Sequence, residues 1–399
     1  MITWRSGTVV RAGRSWPGAA ELAVALDPHP DDAVPDGGDD PDAGADHGGG
    51  ALGDGTVRAL AYPALVGPVP SGAHVLLNVG ALRRGLGTGG YALVVARTDA
   101  PVPDAPAGPG HLVKARYTPL QATVLGVDDP ESPHHATLRD ADDLAGMPVV
   151  VADLHSALPA VVAGARAEAA LRGRRAPRVA YVLTDGGALP AWFSRTVAGL
   201  RDAGWLAACL TAGQAFGGDL EAVTVHTALL AARHVVGADL VVVAQGPGNL
   251  GTGTRWGFSG VAAGEAVNAA AVLGGRPVAS LRVSGADTRD RHRGVSHHSL
   301  TAYGRVALAP ADVVVPLLTG APGVGDDLAA RVLAQAAELV APVGRHRRVD
   351  VAVGADDLAA LAGSPVGLST MGRGLEADPA AFLAVAAAGR HAVALLAGG

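Results

Sequence analysis

The residues best equipped for chemistry fall in two stretches. The first runs from Asp287 to Ser299 and gathers Arg289, Arg291, Arg293, His292, His297, His298, Asp287 and Asp290. In a chain whose residues are only 17% charged, that density stands out. Arginine offers a planar fork that matches phosphate or carboxylate. Histidine changes protonation near neutral pH and suits general acid–base work. His292, His297 or His298 is therefore expected to serve as acid or base, with Arg289 and Arg293 neutralising an anion. A metal is the rival reading. The spacing lacks the i, i+4 histidine pair of a helical zinc site. Adjacent His297 and His298 still offer ligands from a loop, together with Asp185 or Asp287. A solvated loop held by Arg–Asp pairs is the third reading.

The second stretch is Gln245 to Gly260, glycine-rich, lying between an apolar run (Ala238 to Ala244) and an Ala-rich, helix-like run (Val261 to Leu273). Bare amides beside a helix start suit an anion. Gly246, Gly248 and Gly251 are expected to cradle it, with Thr252, Thr254 and Arg255 alongside. The three glycines match G-x-G-x-x-G, yet Pro247 has no N–H and no helix starts at once. No clear acidic residue ends a next strand about 20 residues on, so an ordinary dinucleotide fold is not expected. The Gly-Lys-Ser/Thr of a Walker A loop is missing, and so is a G-x-S-x-G nucleophile elbow. Ser156 neighbours His155 in sequence only. Cys209 sits in an apolar run and reads as core.

Other polar groups follow strand-like runs. Asp153, His155 and Ser156 come after Met147–Ala152. Thr184, Asp185, Gly186 and Gly187 come after Arg178–Leu183, and Gln214, Gly217, Gly218 and Asp219 after Trp205–Leu210. Continuous apolar strands alternating with helices imply a parallel sheet covered on both faces. Ligands of such sheets bind outside the carboxyl ends of the strands. These turns are expected to meet around one cleft, with Gly186, Gly187 and Gln214 on its wall and Asp185 orienting or ligating. Lys114, the sole lysine, lies in the polar span His111 to Gln121 and is expected to bind substrate. Ser369 to Gly374 reads as a further ligand-facing loop, and Asp378-Pro379 as the opening of a helix. Arg345 to Arg348 reads as a solvated basic edge.

The expected class is α/β: a mostly parallel, doubly wound sheet at 126–399, preceded by a smaller β-rich domain at 1–125, barrel-like or a sandwich. Within the latter, 27–55 is dense in Asp, Gly and Pro and is expected to be disordered. It lacks the D-x-[DN]-x-[DN]-G pattern of a calcium loop. At 399 residues and 49% apolar, the chain can build a sizeable core. Its formal net charge of -6 argues against a nucleic-acid scaffold. One cysteine fits a reducing compartment. The opening residues carry no apolar signal region, and no apolar run reaches about 20 residues. A cytoplasmic protein is expected, with no membrane or nucleic-acid partner; a homodimer is allowed.

Four segments carry a resemblance: Lys114 to Gln121 (KARYTPLQ), Thr184 to Pro190 (TDGGALP), Gly246 to Gly260 (GPGNLGTGTRWGFSG) and Arg291 to His298 (RHRGVSHH). Together they resemble a bacterial family, the domain of unknown function 3866. The resemblance spans most of the chain and implies one coherent protein. It implies no activity, so function rests on the residues. They point to a hydrolase or transferase acting on a small phosphorylated or anionic metabolite. The alternatives are a non-catalytic sensor of a nucleotide-like ligand and a metal-dependent hydrolase. No cofactor is named by the sequence and no resident metal is assigned.

Overall fold

The computed structural model describes residues 2–29, 56–86, 89–102, 104, 108–340 and 344–396. Beyond residue 29, the acidic stretch lies outside the described residues. The chain forms two compact units, Met1–Gly108 with Tyr117–Ala122, and Pro109–Arg116 with Thr123–Gly399.

The first unit is a closed barrel. Its strands are β1 (Trp4–Trp16), β2 (Ala19–Leu26), β3 (Thr56–Ala61), β4 (His74–Asn78) and β5 (Ala92–Arg97), in the order β1-β2-β3-β5-β4 with β4 returning to β1. All neighbours are antiparallel except β3 and β5. Side chains alternate along a strand, so Val75 and Leu77 of β4 and Ala92 and Val94 of β5 point into the core with Val9, Leu22 and Val24. Closure leaves no edge open to foreign strands.

Short strands β6 (Leu112–Lys114) and β7 (Ala122–Val124) come next in the chain. The second unit is built on β8 (Pro148–Val151), β9 (Val179–Thr184), β10 (Ala208–Thr211), β11 (Leu220–Glu221), β12 (Leu240–Gln245) and β13 (Arg276–Ser280). After the small antiparallel pair β14 (Val283–Ser284) and β15 (Gly294–Val295) come β16 (Asp312–Leu317) and β17 (Arg347–Ala352). The eight large-sheet strands are parallel, in the order β11-β10-β9-β12-β8-β13-β16-β17. Every residue of β8, β10 and β12 is buried, because helices cover both faces. Cys209 lies inside β10, and burial pushes its thiol pKa up.

From β8 the chain steps outward through β9 and β10 to β11. It then returns to place β12 between β9 and β8, and continues through β13 toward the other edge. The helix Leu158–Leu171, which leaves β8, packs on the helix Pro379–Ala394. The helix Ala262–Val272, which leaves β12, packs with the helix Val225–His234 on the opposite face. Neighbouring β8 and β12 thus send their connections to opposite faces, and a crevice opens between their carboxyl ends.

The pair Leu158–Leu171 and Pro379–Ala394 owes its close approach to glycine. A Cβ at Gly164 would run into the Ala386 carbonyl, and one at Gly389 into the Val161 carbonyl. Gly164→Ala or Gly389→Ala is each expected to cost about 1–3 kcal/mol by overpacking. Urea unfolding checks this; an unchanged midpoint would show that the helices slide apart freely.

Asp312 ties three elements together. It accepts from Arg347 at 2.7 and 2.5 Å and from His391 Nε2 at 2.8 Å. Burial alone would raise its pKa, but the hydrogen bonds from His391 and Arg347 outweigh that and bring it down to about 2. A depressed carboxylate stabilises the fold above its unfolded pKa of about 3.9. That contribution fades as pH falls through about 2. Asp312→Asn should flatten this part of the acid-unfolding curve. A curve identical to that of the unsubstituted protein would contradict the assignment.

Candidate functional site

Three histidines converge just past β13. His292 closes a single 3-10 turn, Asp290–His292, and is followed by β15. Ser296 then caps the helix His297–Thr301, its hydroxyl accepting from the His298 amide at 3.2 Å. This fold-back brings one ring nitrogen from each of His292, His297 and His298 within 4.8 Å of the other two. His298 lies flat on Phe258, with ring centroids 3.8 Å apart and planes 2° from parallel. His292 Nδ1 is 2.8 Å from Ser296 Oγ. His292 and His298 are buried, while His297 is half-buried.

The surroundings hold His292 and His297 neutral. Burial, reinforced by the Arg282 and Arg289 charges, pushes the His292 pKa down to about 2. Burial and His298 push His297 down to about 4. Beneath them a charge network is closed on itself. Asp287 accepts both arms of Arg289 at 3.0 Å and one from Arg373 at 3.4 Å. Asp378 accepts from the Ser284 hydroxyl, the Gly285 amide and Arg373. Arg282 reaches His298 Nδ1 at 3.1 Å and stands 3.8 Å from Asp153.

His297 opens on a groove of about 650 Å³. Its charged wall consists of Arg255, Arg291, Arg305 and Arg345 against a single carboxylate, Glu338, with His346 beside them. The wall draws on the loop after β12, the turn before β15, the helical segment after His297 and the end of the helix Asp326–Val340. Four guanidinium groups around one groove favour a multiply charged anion.

The crevice between β8 and β12 is smaller, about 330 Å³. It is lined by His155, Ser194 and the turn Gly246–Asn249 among others. Its polar groups are engaged with each other. Tyr181 donates to the carbonyls of Gln245 and Ala244, so it accepts from His155 Nδ1–H at 2.9 Å. His155 Nε2 then accepts from Ser194 Oγ at 2.7 Å. The serine partnering His155 is thus Ser194, which also caps the helix Arg195–Asp202, and not the adjacent Ser156. Asn249 Oδ1 accepts from Gln245 and from Ser259.

The family model described as "Protein of unknown function (DUF3866)" matches residues 58–389. The chain belongs to that family. No curated protein and no solved structure matches it.

In this DUF3866 chain the stretches expected to share one cleft divide into two groups. One follows β8, β12 and β13. Gln245 Nε2 binds the Asp153 carbonyl at 2.8 Å, Ser259 binds Asn249, and Phe258 stacks on His298. The Asn249 turn is therefore joined to the histidines, and Arg255 faces the same groove as His297.

The other group lies on the far side of β12, where the loop after β10 is held. Lys114 is fully buried and donates to the carbonyls of Gly213 (2.7 Å), Ala215 (3.0 Å) and Ala222 (2.8 Å). Its task is to pin that loop; no part of it is exposed for a substrate. Asp185 accepts the Gln214 amide at 2.8 Å and is packed against Gly213, and it is not among the residues whose ligand atoms gather with the three histidines. Gln214 Oε1 accepts from the Arg116 amide.

The glycines serve close packing. A Cβ at Gly187 would strike the Gly246 carbonyl, one at Gly246 the Ala188 carbonyl, and one at Gly186 the Gln245 side chain. The Gly246 amide is given to Thr184. Gly251 pairs with Phe258 in a bridge, and Thr252 and Thr254 bond to Gly257 within that exposed hairpin. Of the three glycines, Gly248 has a positive φ of 90°, and it lines the smaller crevice. Arg289 is taken by Asp287, and Arg293 pairs with Asp327 at 3.3 Å on the surface. Arg305 and Arg345 take the places in the groove that Arg289 and Arg293 were expected to fill. Asp378 does begin the last helix, but its carboxylate makes no capping bond and turns to Ser284 and Gly285 instead.

No helix among the described residues is long and apolar enough to cross a membrane.

Proposed function

We propose that this protein is an enzyme, a hydrolase or transferase, acting on a small phosphorylated or otherwise multiply anionic metabolite. The substrate sits in the groove walled by Arg255, Arg291, Arg305 and Arg345, with its reacting end at His297. The observation that carries this reading is a histidine held neutral on the wall of an arginine-lined groove. Arginine forks bind the anion and set its orientation. A neutral imidazole beside them accepts a proton from water or a substrate hydroxyl, which suits hydrolysis or group transfer. The crevice between β8 and β12 is the other place where a doubly wound sheet holds ligands. Its lining carries one cationic side chain, Arg195, against four arginines in the groove.

Thermal unfolding in the presence of phosphorylated and carboxylated metabolites tests the reading. At about 100 times its Kd a ligand stabilises by about 2.7 kcal/mol, a rise of several degrees. The rise is expected with multiply charged metabolites and should vanish in the Arg255→Ala/Arg305→Ala double variant. A metabolite that stabilises both proteins equally would place its binding elsewhere.

A further inference from the structure

We propose that His292, His297 and His298 together hold a divalent transition-metal ion of the zinc class, with an open coordination position facing the arginine groove. The inference rests on the enzymatic reading above and changes the part His297 plays in it: an imidazole bound to metal has no lone pair free to take a proton, so activation of water or a substrate hydroxyl would pass to the metal as Lewis acid. The ligand set comes from the geometry. One nitrogen from each ring lies within 4.8 Å of the others. Tetrahedral ligation at about 2.0–2.1 Å requires nitrogens about 3.4 Å apart, within reach of small ring rotations. An all-imidazole set suits zinc, cobalt, nickel, copper or iron, and does not suit magnesium or calcium, which take oxygen. Three protein ligands with one position open is the arrangement of a catalytic metal site. Two ligands are buried and His297 reaches the groove, so the open position faces the place assigned to the substrate.

A second, independent observation comes from Asp153. Its Oδ2 is buried and has no hydrogen-bond partner, yet it stands 3.6 Å from His298 Nδ1. Arginine only donates, so Arg282 gives a hydrogen to His298 Nδ1, which leaves the ring hydrogen on Nε2. Ligation through Nε2 would move that hydrogen to Nδ1 and end the bond from Arg282, whose N–H would have to swing to Asp153, 3.8 Å away. The carboxylate beside Nδ1 is Asp153, and the orphaned oxygen then gains its donor. A carboxylate behind a metal-bound imidazole is the usual outer support of such sites. Ser296 Oγ can play the same part for His292, and Phe258 keeps the His298 ring in plane. The nearby guanidiniums Arg282, Arg289 and Arg373 each have a carboxylate partner in Asp153, Asp287 or Asp378, which offsets part of their repulsion of a dication.

The test uses the full chain, stripped of metal and then titrated with Zn²⁺ and, separately, Co²⁺, with metal content and the visible Co²⁺ absorption as readouts. About one equivalent is expected, with the intense bands of a tetrahedral site. His297→Ala, whose side chain is half-buried, should lower affinity at least tenfold while circular dichroism stays unchanged. Asp153→Asn should lower affinity about 10–100-fold yet retain the tetrahedral bands, the mark of a positioning residue. Arg255→Ala/Arg305→Ala should bind metal normally. Failure of the folded protein to take up either ion, or equal uptake by a folded His297→Ala/His298→Ala variant, would overturn the inference. Anion-induced stabilisation surviving without metal would leave the enzymatic reading standing. Metal uptake without any anion response would leave the metal site and remove that reading.

Discussion

Lys114→Ala should destabilise the α/β unit by about 3–5 kcal/mol, the range seen when one partner of a buried charge network is removed. The ammonium fills three carbonyl acceptors, at Gly213, Ala215 and Ala222, and stands 3.7 Å from Glu221. Burial pushes its pKa down while Glu221 and Asp185 pull it back. Donating to three carbonyls nevertheless requires all three hydrogens, so the charged form is the one the loop is built around. Alanine would strand three buried carbonyls. It would also strand Glu221, whose own pKa burial already raises and which retains bonds from Thr211 and the Gly217 amide. Lys114→Met restores the bulk and none of the bonds, so it should recover only a small part of the loss. Denaturant unfolding measures both. A variant within 1 kcal/mol of the parent would mean that water takes over the carbonyls, and the pinning role would fall.

His297→Ala should lower turnover of the groove's substrate by about 10²–10⁴-fold, the usual worth of a positioned acid or base. Binding should change little, because the anion is held by the arginines. His297 is half-buried and makes its ring contacts with Phe258, His292 and His298. Truncation there should leave the fold intact, which thermal unfolding would confirm. Loss of kcat with an unchanged Kd for the metabolite is the expected pattern. Loss of binding with kcat intact would instead make His297 part of the anion grip.

Much of the architecture could be read from patterning. Fully buried runs such as Leu240–Gln245 are apolar throughout because both faces are covered, and they announce a parallel sheet. The alternation of His74–Asn78 likewise announces a half-buried strand. β11 is two residues long and lies in the span after β10, where no periodicity marks it. The site was less legible. His292, His297 and His298 stood out because they are clustered in sequence, and the fold keeps them clustered in space. Asp153 joins them from the loop after β8, which reads as part of the rim, whereas Arg282, Arg305 and Arg345 join from stretches that do not. No local spacing marks such residues, and Arg345 looked like part of a solvated basic run. The rarity of Lys114 points to chemistry, and the fold uses it to hold a loop. A lone lysine in an arginine-rich chain can equally be the compact donor that three converging carbonyls need. The glycine-rich turn is a similar case. Gly187 and Gly246 are required where two loops touch backbone to backbone, a need that looks identical to phosphate binding in sequence.

The most direct measurement is a crystal structure of the full chain soaked with the metabolite that gives the largest thermal shift. The anionic group should lie within hydrogen-bond distance of at least two of Arg255, Arg291, Arg305 and Arg345, with the rest of the molecule reaching His297. Density for that metabolite in the crevice lined by His155, Ser194 and Asn249, with the arginine groove holding only solvent, would contradict the account.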